Sequence, residues 1–549
     1  MNLFMIDDIT LANNGISPYP LCVDQSLLDD VYFGWDYYNW SQQSNIQKIM
    51  KEKFSHIRPT NIWSNDADTL PLFDDYETTN DWHNLYSVMR YFYNQNFKVY
   101  NFDTTHLIKK DIPFIYIIGT KSGPHNWKKN RGKLFINIKQ HTKEYIRKGK
   151  VLLVVDMSDE GFPMQSIDDM SISEAGYYEH IGEEIYNLAT KENFPLDNIV
   201  YLTSNYKIED KYKSMNQMVL NWTEVIMKNR EPNPIPNLNK YHLSTIDVWN
   251  GFGVSTDDVN PEINIGVDSL DKWAENKFEE AFNYKKDNLS DMKSFLCLCK
   301  LVKDWRLFHS LGLNYHGLHE KGLTSFILSK ERLFNSPYIS EKLKDKLKDN
   351  TDYELNKIIS DKDIIDKFSL TINLQCELFN NDKIKHHDNI KDLLKKLPLY
   401  IDKKSFDDVN GFTAWDESFY NNTFFSYTYN TFATSNDTIY LTEKIWKDIM
   451  CFHPFLLVSN YGSLKQLKEL GYKTFSPYID ESYDDEKDFD KRSKMLLSEV
   501  NRLCEMSKTQ LLDWYVKQAD VLVHNFKHFV KLNPAKETIN KIMKLYKVL

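Results

Sequence analysis

Leu441-Thr-Glu-Lys-Ile-Trp-Lys447, followed by Phe452-His-Pro-Phe-Leu-Leu-Val458 and Tyr461-Gly-Ser-Leu-Lys-Gln-Leu-Lys-Glu-Leu-Gly471, decides the fold. Ile445, Trp446, Ile449 and Met450 recur at helical spacing, so residues 442–451 read as a helix capped by Thr442. Pro454–Ser459 is short and apolar throughout, as a strand buried on both faces must be. Leu464, Leu467 and Leu470 then mark a second helix, with Gly471 placed to end it. Helix, buried strand and helix in this order belong to a parallel α/β sheet.

The same alternation extends in both directions. Phe424–Tyr429 reads as a strand, as do Phe295–Cys299 and Thr324–Leu328, with a helix at Asp304–Leu311. In the first half, Ile112–Gly119, Val151–Met157 and Asn198–Thr203 read as strands, with Lys133–Ile138 as a short one. Asp81–Gln95 and Ser173–Thr190 read as helices. Three prolines at alternate positions in Glu231-Pro-Asn-Pro-Ile-Pro236 break the pattern and begin a boundary region. The expected organisation is an N-terminal extension (1–80), a first Rossmann-like domain (81–240) and a linker region (241–290). A second Rossmann-like domain (291–493) follows, with a charged helical insertion at about 335–400, and C-terminal helices (494–549) close the chain. Two such halves are expected to face each other, with ligands at the carboxyl ends of the strands.

Composition narrows the function classes. The 549 residues are 42% hydrophobic and 27% charged, which suits a globular chain with a large core. Lys and Arg total 68 against 78 Asp and Glu, so no overall basic excess points to nucleic acid. No apolar run approaches the ~20 residues of a membrane helix, and the N-terminus lacks a signal-peptide pattern. Six cysteines without C-x-x-C spacing argue against a disulfide scaffold or a zinc site, and a reduced, cytoplasmic setting is expected. The triplets Asp66-Ala-Asp68, Asp361-Lys-Asp363 and Asp488-Phe-Asp490 do not follow buried strands, so no obligatory metal is expected.

The candidate site begins at the helix start after Leu441. Glu443 and Lys444 fall in the first turn, where free N–H groups and the positive end of the helix dipole suit an anion such as a phosphate. Lys444 adds a full charge, and Glu443 is suited to accept hydrogen bonds from sugar hydroxyls. The Tyr461-Gly462-Ser463 turn offers a second bare helix N-terminus. The two together read as a cradle for a diphosphate.

Thr442-Glu443-Lys444, the strand after His453-Pro454, Gly462-Ser-Leu, Leu470-Gly-Tyr-Lys-Thr-Phe475 and Asp480-Glu-Ser-Tyr-Asp484 together resemble the C-terminal half of family 10, fucosyltransferase-like glycosyltransferases. The likeness is nearest to divergent members of phages and large viruses. It covers about residues 424–485 and, more loosely, 293–328. It implies the GT-B arrangement of two facing Rossmann-like domains and an inverting, metal-independent transfer of a sugar. The donor would be a nucleoside diphosphate sugar, GDP-linked before UDP-linked, and the acceptor a hydroxyl of a glycan or other molecule. Glu443 and Lys444 match the family's Glu-Lys pair at the donor, and Arg306 matches a phosphate-binding helix Arg. Where the family carries an Asn-Arg pair, this sequence has Cys299-Lys300, leaving Lys300 to supply that charge. Val151-Leu-Leu-Val-Val-Asp-Met-Ser-Asp-Glu-Gly-Phe162 resembles an acidic loop of the viral branch, with Glu160 or Asp156 as the base for the acceptor. His125 is a further crevice candidate. Two alternatives stand beside this: transfer to a hydroxymethylated base in DNA, and a non-catalytic binding or virion protein on a degenerate transferase fold.

Overall fold

The computed structural model describes residues 30–35, 98–119, 138–157, 181–207, 212–220, 267–299, 304–326, 392–393, 417–434, 438–531 and 534–549. The chain forms two compact units, residues 1–264 with 533–549, and residues 265–532. Each is built on a parallel sheet, so this is an α/β protein.

Among the described residues, unit 1 holds six strands: β1 (Asp30–Trp35), β2 (Lys98–Asp103), β3 (Phe114–Gly119), β4 (Val151–Met157), β5 (Ile199–Thr203) and β6 (Asn216–Val219). Their order is β2-β1-β3-β4-β5-β6, with every pairing parallel. Helices α1 (Thr104–Lys109), α2 (Gln140–Arg147) and α3 (Ile181–Lys191) lie between strands in the sequence. Val151–Val155 of β4 are completely enclosed. A buried aliphatic side chain contributes about 1.5–3 kcal/mol, so this run anchors the unit. Phe114 stacks on Tyr145 of α2 beside it, with ring centroids 5.7 Å apart. β1 lies inside the stretch read as an extension. The sequence reading gave no strand there because the short Asp-Val-Tyr-Phe-Gly-Trp run lies in a polar, aromatic-rich stretch.

Unit 2 opens with the 21-residue helix α4 (Val267–Asp287), within the stretch read as a linker region. Four parallel strands follow: β7 (Lys293–Cys299), β8 (Gly322–Phe326), β9 (Thr423–Tyr429) and β10 (Phe455–Val458), in the order β10-β9-β7-β8. α5 (Asp304–Tyr315) connects β7 to β8, α6 (Glu417–Asn421) leads into β9, and α7 (Glu443–Met450) connects β9 to β10. α8 (Ser463–Glu469), α9 (Phe489–Glu505), α10 (Lys508–Val516) and α11 (Ala519–Lys531) complete the unit. Every residue of β9 is buried, with Phe425 of β9 stacked on Phe295 of β7. Trp446 of α7 stacks on Phe529 of α11. Gly471 after α8 has φ +91°, and a Cβ there would lie 2.7 Å from the His528 ring, so only glycine fits.

The last helix, α12 (Pro534–Tyr546), belongs to unit 1. Thr538 Oγ1 donates to the Val219 carbonyl at 2.9 Å, and the Tyr546 hydroxyl to the Pro113 carbonyl at 3.0 Å. Among the described residues no helix is long and apolar enough to cross a membrane.

Several sequence-based expectations lie outside the described residues: the Asp81–Gln95 helix, positions 133–137 of the short strand, residues 173–180 of the Ser173 helix, and all but 392–393 of the insertion. The triplets at Asp66 and Asp361, and His125, do too. Asp488 of the third triplet caps α9, accepting from the Lys491 amide at 2.9 Å.

Candidate functional site

The strand order in unit 2 reverses between β7 and β9: β7 runs on through α5 to β8 on one side, β9 through α7 to β10 on the other. In doubly wound sheets, ligands bind at such a reversal, beyond the carboxyl ends of the strands. Cys299 ends β7 there and Asn430 follows β9 directly.

Asn430 is completely buried and every polar atom of it is used. Its amide donates to the Val458 carbonyl at 3.0 Å, which extends the β9–β10 ladder by one residue. Its own carbonyl accepts from Arg306 Nη2 at 2.8 Å. Side-chain Oδ1 accepts from the backbone amides of Thr431 (3.0 Å) and Thr442 (3.2 Å). Nδ2 donates to Ser459 Oγ at 2.9 Å and to the Tyr440 carbonyl. Arg306 and the start of α7, taken from distant parts of the sequence as one candidate site, therefore meet at one residue. Arg306 is itself nearly enclosed, with its guanidinium 4.9 Å from the centre of the Trp305 ring.

Thr442 takes the N-cap position with extended backbone (φ −93°, ψ 173°), as its residue type predicts. Its buried hydroxyl makes no cap bond, and among the described residues it has no hydrogen-bond partner. Glu443 Oε1 instead accepts from Lys444 Nζ at 2.6 Å. Burial pushes the Glu443 carboxyl up, but Lys444, Lys447 and its own backbone N–H outweigh that and hold it below the usual range. Glu443 is thus a buried, ionised carboxylate beside a lysine that stays 28% exposed. That exposure leaves the ammonium within reach of an incoming anion.

The second helix start departs from expectation. Gly462 has φ +78°, which turns the chain into α8, and its amide donates to the Asp484 carbonyl at 2.8 Å. The next free amides, of Leu464 and Lys465, both donate to the Asp484 carboxylate at 2.9 Å. Ser463 Oγ donates to the Asn460 carbonyl at 2.7 Å. The Tyr461-Gly462-Ser463 turn is therefore no bare cradle: the chain's own Asp484 fills it. The physical reason is that a short helix on a buried strand must satisfy its first amides, and a carboxylate from the following loop does so without a ligand. Burial raises the Asp484 pKa despite these two amides. Tyr461 carries Lys487 Nζ 5.4 Å from its ring centre.

Buried Arg492 of α9 ties the surrounding loops together through main-chain carbonyls only. Nε donates to Ser459 at 3.1 Å, Nη1 to Glu486 at 2.7 Å and to Lys487 at 3.1 Å, and Nη2 to Ala433. Burial lowers its pKa to about 10, with Asp484, Glu486 and Asp488 opposing.

Asn430, Asp484 and Arg492 were not singled out in the sequence. Only Asp484 had a signal, as the last residue of the Asp480-Glu-Ser-Tyr-Asp484 stretch. In unit 1, Asp156 lies near the carboxyl end of β4, paired in register with Gly119 and Leu202. Its side chain, Glu160 and Lys300 lie outside the described residues.

Other polar groups of unit 2 are enclosed. His453 Nδ1 accepts from Ser426 Oγ at 2.6 Å, and Nε2 donates to the Thr423 carbonyl at 3.1 Å. Asp448 accepts from Thr428 Oγ1 at 2.5 Å. The Ser, His and Asp here resemble a hydrolase set in type, yet all three are buried within the sheet–helix layer. Among the described residues no cluster of three or more metal-ligating side chains occurs.

The fold and site thus define a doubly wound parallel α/β protein with a polar, cation-bearing centre at the strand reversal of its second unit. No protein-family model, curated protein or solved structure matches the chain.

Proposed function

We propose that the chain is a glycosyltransferase of GT-B type that binds a nucleoside diphosphate sugar at the carboxyl ends of β7, β9 and β10. The observation that carries this reading is the convergence on Asn430, at the strand reversal, of Arg306 and of Thr442, the residue that opens the helix carrying Glu443 and Lys444. In this reading the Glu443–Lys444 pair is a resting contact. Donor binding moves the Lys444 ammonium from the carboxylate to the phosphates, and Glu443 then accepts from ribose or sugar hydroxyls. Arg306 adds a fixed positive charge beneath the departing diphosphate. The base assigned to the acceptor hydroxyl in this reading is Asp156 or Glu160, and the hydroxyl attacks the sugar carbon from the face opposite the diphosphate. With these cations neutralising the leaving group, no metal is assigned a role.

A thermal-shift panel of GDP-, UDP-, CMP- and dTDP-sugars on wild type and Lys444→Ala tests this. Ligand at a hundred times Kd stabilises a protein by about 2.7 kcal/mol. A rise with one nucleotide class that disappears in Lys444→Ala supports the donor site. No rise with any donor removes the reading.

A second reading has its own observation. Arg306 spends Nη2 on a main-chain carbonyl and Glu443 is already paired with Lys444, so these groups have structural partners within the fold. A non-catalytic binding protein on a transferase-like fold fits those contacts. Nucleotide-sugar binding without turnover across an acceptor screen would favour it.

A further inference from the structure

We infer that Asn430 is a positioning residue: its side chain holds the first turn of α7 and its main-chain carbonyl holds Arg306, in one arrangement across the strand reversal. The link to ligand binding rests on the donor reading above; the link to geometry does not. The Asn430 carboxamide fixes its own orientation: Oδ1 faces two N–H donors, and Nδ2 faces a carbonyl and a hydroxyl. No other side chain of this size presents two acceptor sites on one arm and two donors on the other. Aspartate would turn an oxygen against the Tyr440 carbonyl, and alanine would leave the buried Thr442 amide unpaired.

The contacts continue beyond Asn430. Nδ2 donates to Ser459 Oγ, which lies 2.9 Å from Ser463 Oγ, whose proton goes to the Asn460 carbonyl. Because Ser463 spends its proton on Asn460, Ser459 is the donor in the pair between them. The hydrogen bonds all run in one sense, a chain in which each bond polarises the next. The Asn430 side chain thereby joins the starts of α7 and α8, and the Asn430 main-chain carbonyl holds α5 through Arg306. Each of these helix starts carries a candidate donor residue, yet Asn430 need not touch the donor itself.

Hydrogen exchange on full-length wild type, Asn430→Asp and Ser459→Ala tests the role, followed by donor affinities in a double-mutant cycle with Lys444→Ala. Asn430→Asp should speed exchange in peptides spanning 440–447 at least about tenfold, the factor expected for one lost buried hydrogen bond. Peptides from β7 should keep their protection. Ser459→Ala removes one of the four carboxamide bonds, together with the Ser459–Ser463 bond, and should act at 440–447 more weakly, which keeps the test open if the aspartate variant fails to fold. In the cycle, Lys444→Ala should cost less affinity in the Asn430→Asp background than in wild type, because both act on one arrangement. Unchanged exchange at 440–447, or equal acceleration throughout unit 2, overturns the positioning role. Strict additivity in the cycle also counts against it. A wild type that binds no donor removes the donor reading, and the exchange data then decide the role of Asn430 alone.

Discussion

Arg306 Nη2 donates to the main-chain carbonyl of Asn430 at 2.8 Å, closing a contact between residues 124 apart in the chain. The bond joins α5 to the end of β9, the two elements that flank the strand reversal. A buried guanidinium on a carbonyl both organises the backbone and leaves a positive charge in place.

Removing that charge should cost stability as well as any ligand. Arg306→Ala leaves the Asn430 carbonyl without this donor in a buried setting, a loss of about 1–3 kcal/mol. Urea melts followed by circular dichroism should show a lower midpoint with unchanged slope. A midpoint equal to wild type would mean that the bond contributes nothing measurable.

Asp484 holds the first turn of α8 through two amides. Asp484→Ala should therefore destabilise unit 2 by about 1–2 kcal/mol, the scale of a lost helix cap. Asp484→Asn keeps one acceptor and should fall between. Chemical denaturation of the three proteins gives the ranking, and an alanine variant as stable as wild type would refute the capping role.

Asp448 gives a sign for the acid dependence. Burial raises its pKa from 3.8 to about 7, against the hydrogen bond from Thr428 and the charge of Lys447. The folded chain therefore binds a proton that the unfolded chain has released between pH 3.8 and about 7. This contribution is full below pH 3.8 and is lost as pH rises through about 7. Asp448→Asn removes that slope, so the stability difference between wild type and variant should change across this window and level off above it. A difference independent of pH would show that Asp448 ionises normally.

Lys285 behaves in the opposite sense at alkaline pH. Its ammonium donates to the carbonyls of Tyr420 (2.7 Å), Asn421 (3.2 Å) and Thr423 (2.6 Å) beneath the sheet. Burial lowers its pKa from 10.5 to about 7, with Cys451 opposing. Between these values the unfolded chain binds the extra proton, so this group's contribution to stability rises with pH from about 7 to 10.5. Lys285→Met should be less stable at neutral pH because three carbonyls lose their donor, and should lack the alkaline rise. Parallel pH profiles for both proteins would contradict the assignment.

The final helix should be needed by the first unit rather than the second. Ile539, Ile542 and Met543 of α12 are buried, and its Thr538 and Tyr546 bond to backbone beside β6 and β3. Each buried apolar side chain contributes about 1.5–3 kcal/mol, so ending the chain at residue 532 should remove several kcal/mol from unit 1. Limited proteolysis should then cut near β3 and β4 while β7 and β9 resist. Cleavage confined to unit 2 would sink the prediction.

Much of both sheets was legible in the sequence because the signals are local. The run Val151–Met157 and the helix spacing of Ile445, Trp446, Ile449 and Met450 need only nearest neighbours to be read. Gly471 announced its helix end for the same reason. β1 was missed because its six residues are a short pattern within a polar, aromatic-rich stretch, and α4 because a Gly/Asp/Asn-rich stretch precedes it. The site divided along the same line. Thr442, Glu443 and Lys444 were found by their place at a helix start. Asn430 and Asp484 were not, since an asparagine or aspartate in a loop has many local uses.

By itself, then, the sequence determined the parallel α/β class, the helix start at Thr442 and the residue types suited to an anion, because periodicity and capping are short-range effects. Only the tertiary structure decided which of those groups remain open. Asp484 reached back across 20 residues to fill the α8 start, Lys444 paired with Glu443, and Asn430 gathered Arg306 and Thr442. The reason is physical: a buried polar group must find a partner, and which partner it finds depends on what the fold brings within 3 Å or so.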